Sequence, residues 1–248
     1  MGDSQAEIRV CSSTEELSQQ AAGEFVRLAQ EAVQVGGRFT VALSGGSSPR
    51  SLYTLLSSDK FRDKVPWSKT HFFWGDERHV PPDHAESNYR MASETMLSKM
   101  PVPPENIRRI PSEKNAEQAA DEYEATLRKF FGLAAGELPR FDLVLLGMGP
   151  DGHTASLFPG TWAVRETQRL VAWPYVDKFS TYRITMTPPV LNNAAYIIFF
   201  VGGAEKAETL RHVLHGDYQP DIYPSQTIKP TKGKLLWLVD KEAAARLT

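Results

Sequence analysis

Cysteine is almost absent: Cys11 is the only one among 248 residues. A single thiol excludes an internal disulfide and any zinc site built on paired cysteines, and it suits a reducing compartment. Cys11 itself reads as a small core side chain, the usual setting of a free cysteine. No apolar run is long enough to cross a bilayer, and Met1-Gly2-Asp3-Ser4-Gln5-Ala6-Glu7 has neither the basic start nor the apolar centre of a secretory signal. The expectation is a cytoplasmic protein with no membrane partner. An excess of one charge is missing too, since 28 Lys and Arg stand against 30 Asp and Glu for a net charge of -2. Without a basic field, nucleic acid is not expected as a partner, and any anionic ligand must be held by a local site. Internal repeats, low-complexity tracts and clear domain linkers are absent as well, so residues 1–248 are expected to form a single domain with excursions.

What is present is an alternation of short apolar runs with helix-periodic segments. That order predicts an α/β fold, a mostly parallel sheet flanked by helices. Strands are expected near Ile8–Val10, at Phe39–Leu43, Thr70–Trp74 and Phe141–Leu146, and then at Arg183–Thr187, Tyr196–Val201 and Lys234–Val239. A possible short strand falls at Ile107–Ile110. Ser13-Thr14-Glu15-Glu16 offers a capping box for a helix that Gly36-Gly37 stops. Ser48 before Pro49 reads as an N-cap with proline in the first helical position, opening a helix through about Leu56. Further helices are expected near Tyr89–Met100, Ala116–Phe131, Ala204–Leu214 and Lys241–Leu247.

Three strand-to-helix or strand-to-loop junctions carry residues suited to chemistry. In Leu43-Ser44-Gly45-Gly46-Ser47-Ser48-Pro49, backbone N–H groups, serine hydroxyls and a helix N-terminus can converge on one point. Ser44, Gly45, Gly46 and Ser47 thus form a candidate anion cradle, and the loop lacks a Walker lysine, which favours a small phosphorylated ligand. A plain glycine turn would account for the same residues. Trp74-Gly75-Asp76-Glu77-Arg78-His79 crowds ionisable groups after another strand. Asp76 and Arg78 are candidate ligand contacts there, an Asp76 or Glu77 pair with Arg78 at the surface being the bland alternative. Gly147-Met148-Gly149-Pro150-Asp151-Gly152-His153 ends the buried run Phe141–Leu146 and presents a carboxylate and an imidazole two residues apart, suited to general base chemistry. Lys206, after Gly202-Gly203, and Arg183, at the start of a strand, could reach the same sheet edge, although isolated cations are commonly solvated surface groups. His71, His79, His84, His212 and His215 show no metal-ligand spacing, and Asp151 with His153 falls short of the usual set, so no metal is expected.

Read in order, Ser44-Gly45-Gly46-Ser47, Asp76-Glu77-Arg78 with Val80-Pro81, His84-Ala85-Glu86-Ser87-Asn88-Tyr89, Gly149-Pro150-Asp151-Gly152-His153-Thr154-Ala155-Ser156-Leu157-Phe158-Pro159, Arg183-Ile184-Thr185-Met186-Thr187-Pro188 and Gly203-Ala204-Glu205-Lys206 resemble the 6-phosphogluconolactonases. The match runs nearly the whole chain. It implies a Rossmann-like α/β fold, no obligatory cofactor and hydrolysis of a small sugar-phosphate lactone, 6-phosphoglucono-1,5-lactone, in the oxidative pentose phosphate pathway. It further implies His153 as base, Asp151 as its support, and a phosphate held by the Ser44–Ser47 loop, Arg78 and Lys206, with Arg183 a further contributor. Asp76 and Glu77 would meet sugar hydroxyls or orient Arg78. Glucosamine-6-phosphate deaminases share the Ser-Gly-Gly, Asp-Glu and Asp-Gly-His segments. Their pattern continues Ile-Ala-Phe-Asn-Glu-Pro with a glutamate that assists ring opening, whereas Phe158 stands at that place here and cannot transfer a proton. A non-catalytic sugar-phosphate sensor using the same pocket is the remaining alternative.

Overall fold

The computed structural model describes residues 6–247. In chain order its elements are β1 (Glu7–Cys11), α1 (Thr14–Gly36), β2 (Phe39–Leu43), α2 (Ser47–Leu56), β3 (Thr70–Trp74), β4 (Asp76–Arg78), α3 (Asn88–Thr95), α4 (Ala116–Phe131), β5 (Leu143–Gly147), β6 (Val171–Ala172), β7 (Tyr175–Val176), β8 (Thr181–Met186), α5 (Pro188–Asn192), β9 (Tyr196–Val201), α6 (Ala207–His215) and β10 (Lys234–Asp240). Six strands form a sheet in the order β1-β10-β9-β5-β2-β3, and every pairing in it is parallel. Helices cover it, as the near-continuous burial of Phe39–Leu43 and Tyr196–Val201 requires. The α/β architecture expected from the alternating pattern is therefore present. Among the described residues no helix is long and apolar enough to cross a membrane.

The order of strands locates the site. β2 and β5 are neighbours, but the chain leaves β2 toward β3 on one side and leaves β5 toward β9 on the other. Such a reversal opens a crevice at the carboxyl ends of the two central strands, because the connections that follow them diverge. The Ser44 loop and the His153 loop both start there.

Several local expectations need correction. The helix after β2 does not use Ser48 as its cap; Gly46, at φ 113°, is the N-cap and Ser47 already belongs to the helix. Only glycine reaches that backbone conformation without a steric cost, so the turn is completed two residues earlier than the serine–proline pair suggested. At Ile107–Ile110 a single bridge to Phe72 replaces the expected strand, with Pro103, Pro104 and Pro111 close by removing backbone donors. Residues 241–247 form successive turns rather than a helix, since the segment is too short to repay nucleation and Asp240 Oδ1 takes the Ala243 N–H at 2.8 Å. The helix near 89–100 stops at Thr95 and continues as a separate 3-10 turn, Leu97–Lys99. Lys206 ends a 3-10 turn, Ala204–Lys206, that precedes α6.

Ser13 caps α1 as expected, accepting from the Glu16 N–H at 3.2 Å, and Gly37 ends it in the left-handed conformation at φ 72°. Cys11 is fully buried. A second, four-stranded antiparallel sheet, in which β8 pairs with β4, β6 and β7, was not legible as such. Its β4 is the Asp76-Glu77-Arg78 segment, read from sequence as loop.

Candidate active site

Two buried tyrosines set the strand ends that carry the site. The Tyr53 hydroxyl accepts from the Ser44 N–H at 3.0 Å and donates to the Ser44 carbonyl at 2.8 Å. The Tyr123 hydroxyl treats Trp74 in the same way, at 2.9 Å and 3.0 Å. Burial raises both phenols above their ordinary range, so each stays a neutral donor and acceptor. Gly75 then joins the two sheets, donating to Leu43 O at 2.9 Å and accepting from Met186 N at 2.7 Å.

At this junction Ser44, Gly45, Gly46, Ser47, Asp76, Arg78, His153 and Lys206 line one cavity of about 210 Å³, joined by Asn88, Met148 and Ala155. The sequence had spread these residues over four distant segments. Gly45 is required by a close approach: a Cβ there would stand 1.9 Å from Asn88 Oδ1. Ser44 Oγ is buried and has no hydrogen-bond partner, a polar atom left open toward the cavity. Arg78 Nη1 donates to Glu86 O at 3.0 Å and Arg183 Nη1 to Tyr182 O at 3.3 Å; among the described residues neither these guanidiniums nor the Lys206 ammonium is paired with a carboxylate. Cations without a carboxylate partner beside the start of α2 and an unpartnered hydroxyl suit an anion.

The loop bearing Lys206 is held from β10. Asp240 accepts from the Gly203 N–H at 3.0 Å, and Gly203 takes a φ of 102°. Arg183 faces Arg78 across the β4–β8 pairing but does not line the cavity; its guanidinium lies 5.0 Å from the Phe179 ring. Burial foremost, then the Arg78 charge, lowers its pKa from the ordinary arginine value.

Asp76 and Glu77 separate in role. Glu77 is buried and accepts from the N–H groups of Asn88 and Tyr89 at 2.8 Å each, from Arg78 N at 2.8 Å, and from Ser87 Oγ at 3.1 Å. Burial raises its pKa above the carboxylate norm against those donors. It anchors the start of α3 and has no orientation toward the cavity to spare. Asp76 lines the cavity, and its Oδ2 accepts from Ser156 Oγ at 2.6 Å. Asn88, not singled out as a site residue from sequence, donates to Asp76 O at 3.0 Å. Its signal in the sequence was its place in the His84–Tyr89 segment that the family resemblance covers; the structure puts it just after Ser87, the N-cap of α3.

The His153 loop folds back on itself. Gly149 N donates to His153 O at 2.9 Å, Ser225 N to Gly152 O at 2.9 Å, and Thr209 Oγ1 to Pro150 O at 2.7 Å. Ala155 takes a φ of 46°, a left-handed conformation rarely used by a residue with a Cβ and often found at functional sites. Asp151 Oδ1 bonds His153 Nδ1 and also accepts the His153 N–H at 3.3 Å. Burial opposes ionisation of Asp151, but the His153 hydrogen bond and charge, with Lys178 behind them, hold its pKa far below the carboxylate norm. Phe158 stacks on the imidazole, centroids 4.1 Å apart and planes at 23°. Among the described residues no group of three or more His, Cys, Asp and Glu side chains is placed to hold a metal ion.

The family model described as Glucosamine-6-phosphate isomerases/6-phosphogluconolactonase matches residues 12–237. The chain belongs to this family. A 6-phosphogluconolactonase of Nostoc sp. is 45% identical over 218 residues, covering 88% of each chain, and one of Synechocystis sp. is 42% identical over the same length and shares. The solved 6-phosphogluconolactonase of Trypanosoma cruzi superposes with a TM-score of 0.87 at 32% identity, covering 100% of this chain and 98% of its own. Within the glucosamine-6-phosphate isomerase/6-phosphogluconolactonase family, the residue after the Asp-Gly-His segment that matters here is Phe158: it supplies a ring face to His153 and carries no proton.

Proposed function

We propose that this chain hydrolyses 6-phospho-D-glucono-1,5-lactone to 6-phospho-D-gluconate, acting as a single-domain enzyme. The observation that carries this reading is that one cavity holds the His153 imidazole together with the Ser44–Ser47 turn, Arg78 and Lys206. A sugar phosphate has its reactive carbonyl and its anion at opposite ends, and this cavity offers a base for one and unpaired donors for the other.

Because Nδ1 is engaged by Asp151, a neutral ring carries its proton there and leaves the Nε2 lone pair free. Nε2 takes a proton from water as the water oxygen forms a bond to C1 of the lactone. The tetrahedral intermediate then breaks the bond between C1 and the ring oxygen, and the imidazolium returns its proton to that oxygen. The product is the open-chain acid, and no covalent enzyme intermediate is required. A positioned base contributes about 10²–10⁴ in rate. Asp151, ionised throughout, orients the ring and stabilises the transient imidazolium. The phosphate end, held by the turn, Arg78 and Lys206, converts binding energy into alignment of the carbonyl. Arg183 supplies further positive field beside Arg78. Asp76 is placed for a sugar hydroxyl.

A soluble substrate and a lone buried thiol fit an aqueous reducing compartment such as the cytoplasm. Deamination of glucosamine 6-phosphate is disfavoured by Phe158, which offers no carboxylate for ring opening. The deciding experiment measures turnover of freshly prepared lactone, corrected for spontaneous hydrolysis, beside glucosamine 6-phosphate. Lactone turnover that falls by about 10²–10⁴ in His153→Ala is expected; near-normal turnover in that variant rules out the base assignment. Stabilisation by 6-phosphogluconate in a protein that hydrolyses nothing would instead identify a sensor.

A further inference from the structure

Lys178 lies outside the cavity, on the tip of the hairpin joining β7 to β8, yet its ammonium reaches the carboxylate that serves His153. Nζ donates to Asp151 Oδ2 at 3.1 Å while the other oxygen of the same carboxylate bonds His153 Nδ1. The next residue on the tip, Phe179, packs edge-on against Phe158 at 5.6 Å, and Phe158 in turn stacks on the imidazole. The tip is shaped for this: Ser180 takes a φ of 48° and donates its N–H to Asp177 O at 3.0 Å. One turn of chain thus touches both supports of the ring, the carboxylate at its Nδ1 and the aromatic group on its face.

We propose that Lys178 is a positioning residue for His153: it holds the outer oxygen of Asp151, so that the inner oxygen stays on Nδ1 and the imidazole keeps Nε2 free and unprotonated in the resting enzyme. The inference rests on the reading of His153 as the base. Without Lys178 every donor to the carboxylate, His153 Nδ1 and the His153 N–H, falls on one oxygen, and a turn about the Cβ–Cγ bond can present either oxygen to them; a donor on the second oxygen fixes which one faces the ring. The charges act in the same direction. A bare carboxylate beside an imidazole favours the imidazolium, and a cation on its far side offsets that preference. With Lys178 present, the trio is neutral when the ring is neutral. Without it, the trio is neutral only after the ring gains a proton. The other charged groups around the imidazole are Asp76 and Arg78 from β4, Lys206 ahead of α6, and Arg183 beyond Phe179, and all remain when Lys178 is replaced.

Lys178 is more than half exposed, at 57%, so Lys178→Met is expected to fold, and solvent screening limits the size of the effect. The acid limb of kcat/KM against pH is expected to move up by roughly half a pH unit in Lys178→Met. Its plateau kcat is expected to fall with little change in KM, because the phosphate grip is untouched. Lys178→Arg should restore both. Histidine-ring NMR titration of the free protein, with the His153 signal identified by its loss in His153→Asn, is expected to show the same upward displacement of its midpoint and the same rescue. An acid limb and an NMR midpoint that coincide in wild type and Lys178→Met would overturn the proposal. A wild-type protein that fails to open the lactone removes the functional reading alone, since the NMR titration still decides whether Lys178 governs the protonation of His153.

Discussion

A Cβ on Gly149 would lie 2.1 Å from both Cε1 and Nδ1 of His153. The glycine is therefore part of the seat of the imidazole, not a flexible joint in the loop. In Gly149→Ala the ring must swing away, because the alternative is to move a backbone segment already bonded to His153 O. Displacement of a catalytic group by about 1 Å costs on the order of 10² in rate. We expect kcat to fall by about that factor with an unchanged thermal midpoint within about 2 °C. Retained wild-type kcat in a folded Gly149→Ala variant would show that the imidazole position does not govern the reaction.

Tyr53 performs the equivalent service for the anion cradle. Tyr53→Phe leaves the buried N–H and C=O of Ser44 without their partner, at a cost of about 2–4 kcal/mol for the two groups together. Chemical denaturation is expected to show that loss. KM for the phosphorylated lactone should rise if the turn that Ser44 begins receives the phosphate, as proposed. A stability loss with KM unaltered would separate the tyrosine from the cradle.

Asp151 makes stability depend on pH with a definite sign. Its folded pKa lies below the unfolded value of about 3.9, so its ionised form contributes stability that is fully present above roughly pH 5 and is lost as pH falls toward the folded pKa. Asp151→Asn removes that contribution. The variant should be less stable than wild type by about 1 kcal/mol at pH 7, and the gap should be smaller at pH 3, narrowing further as pH falls toward the folded pKa. Denaturant midpoints at the two pH values measure it; a gap that widens toward pH 3 contradicts the ion pair.

Lys206 is expected to act on the phosphate alone. In Lys206→Ala, KM for the phosphorylated lactone should rise by about 10- to 100-fold, the range of a lost charge-assisted hydrogen bond, with kcat for the unphosphorylated lactone unchanged. Equal losses on both substrates would place the ammonium at the reacting carbonyl instead.

The main sheet was legible because its central strands, β2, β5 and β9, are short and almost wholly apolar runs, and burial on both faces leaves no alternation to misread. The small antiparallel sheet was not. β4 is Asp76-Glu77-Arg78, three charged residues that no hydrophobic pattern marks as strand, and it is held by pairing with β8 more than a hundred residues later. The helix starts shifted for a similar reason. Ser48-Pro49 carries a good local cap signal, but the left-handed Gly46 had already turned the chain. The resemblance had Glu77 meeting sugar hydroxyls or orienting Arg78; three of its four donors come from Ser87, Asn88 and Tyr89, ten or more residues on, which spacing alone does not reveal.

The order of residues alone determined the class of fold, the Asp151–His153 pair, the Gly-rich turn at Ser44 and membership of a family whose motifs run the length of the chain. Those features are local or periodic, and local chemistry is written in adjacent residues. The tertiary structure decided which of the flagged cations face the cavity, placing Lys206 and Arg78 on its wall and Arg183 behind Phe179. It also decided that Glu77 is an anchor for α3, that Asn88 belongs to the site, and that Lys178 reaches Asp151 from a hairpin. Each of these depends on the direction in which a side chain leaves its element and on what a distant strand brings opposite it. Those directions exist only once the parallel sheet and its antiparallel excursion have packed together.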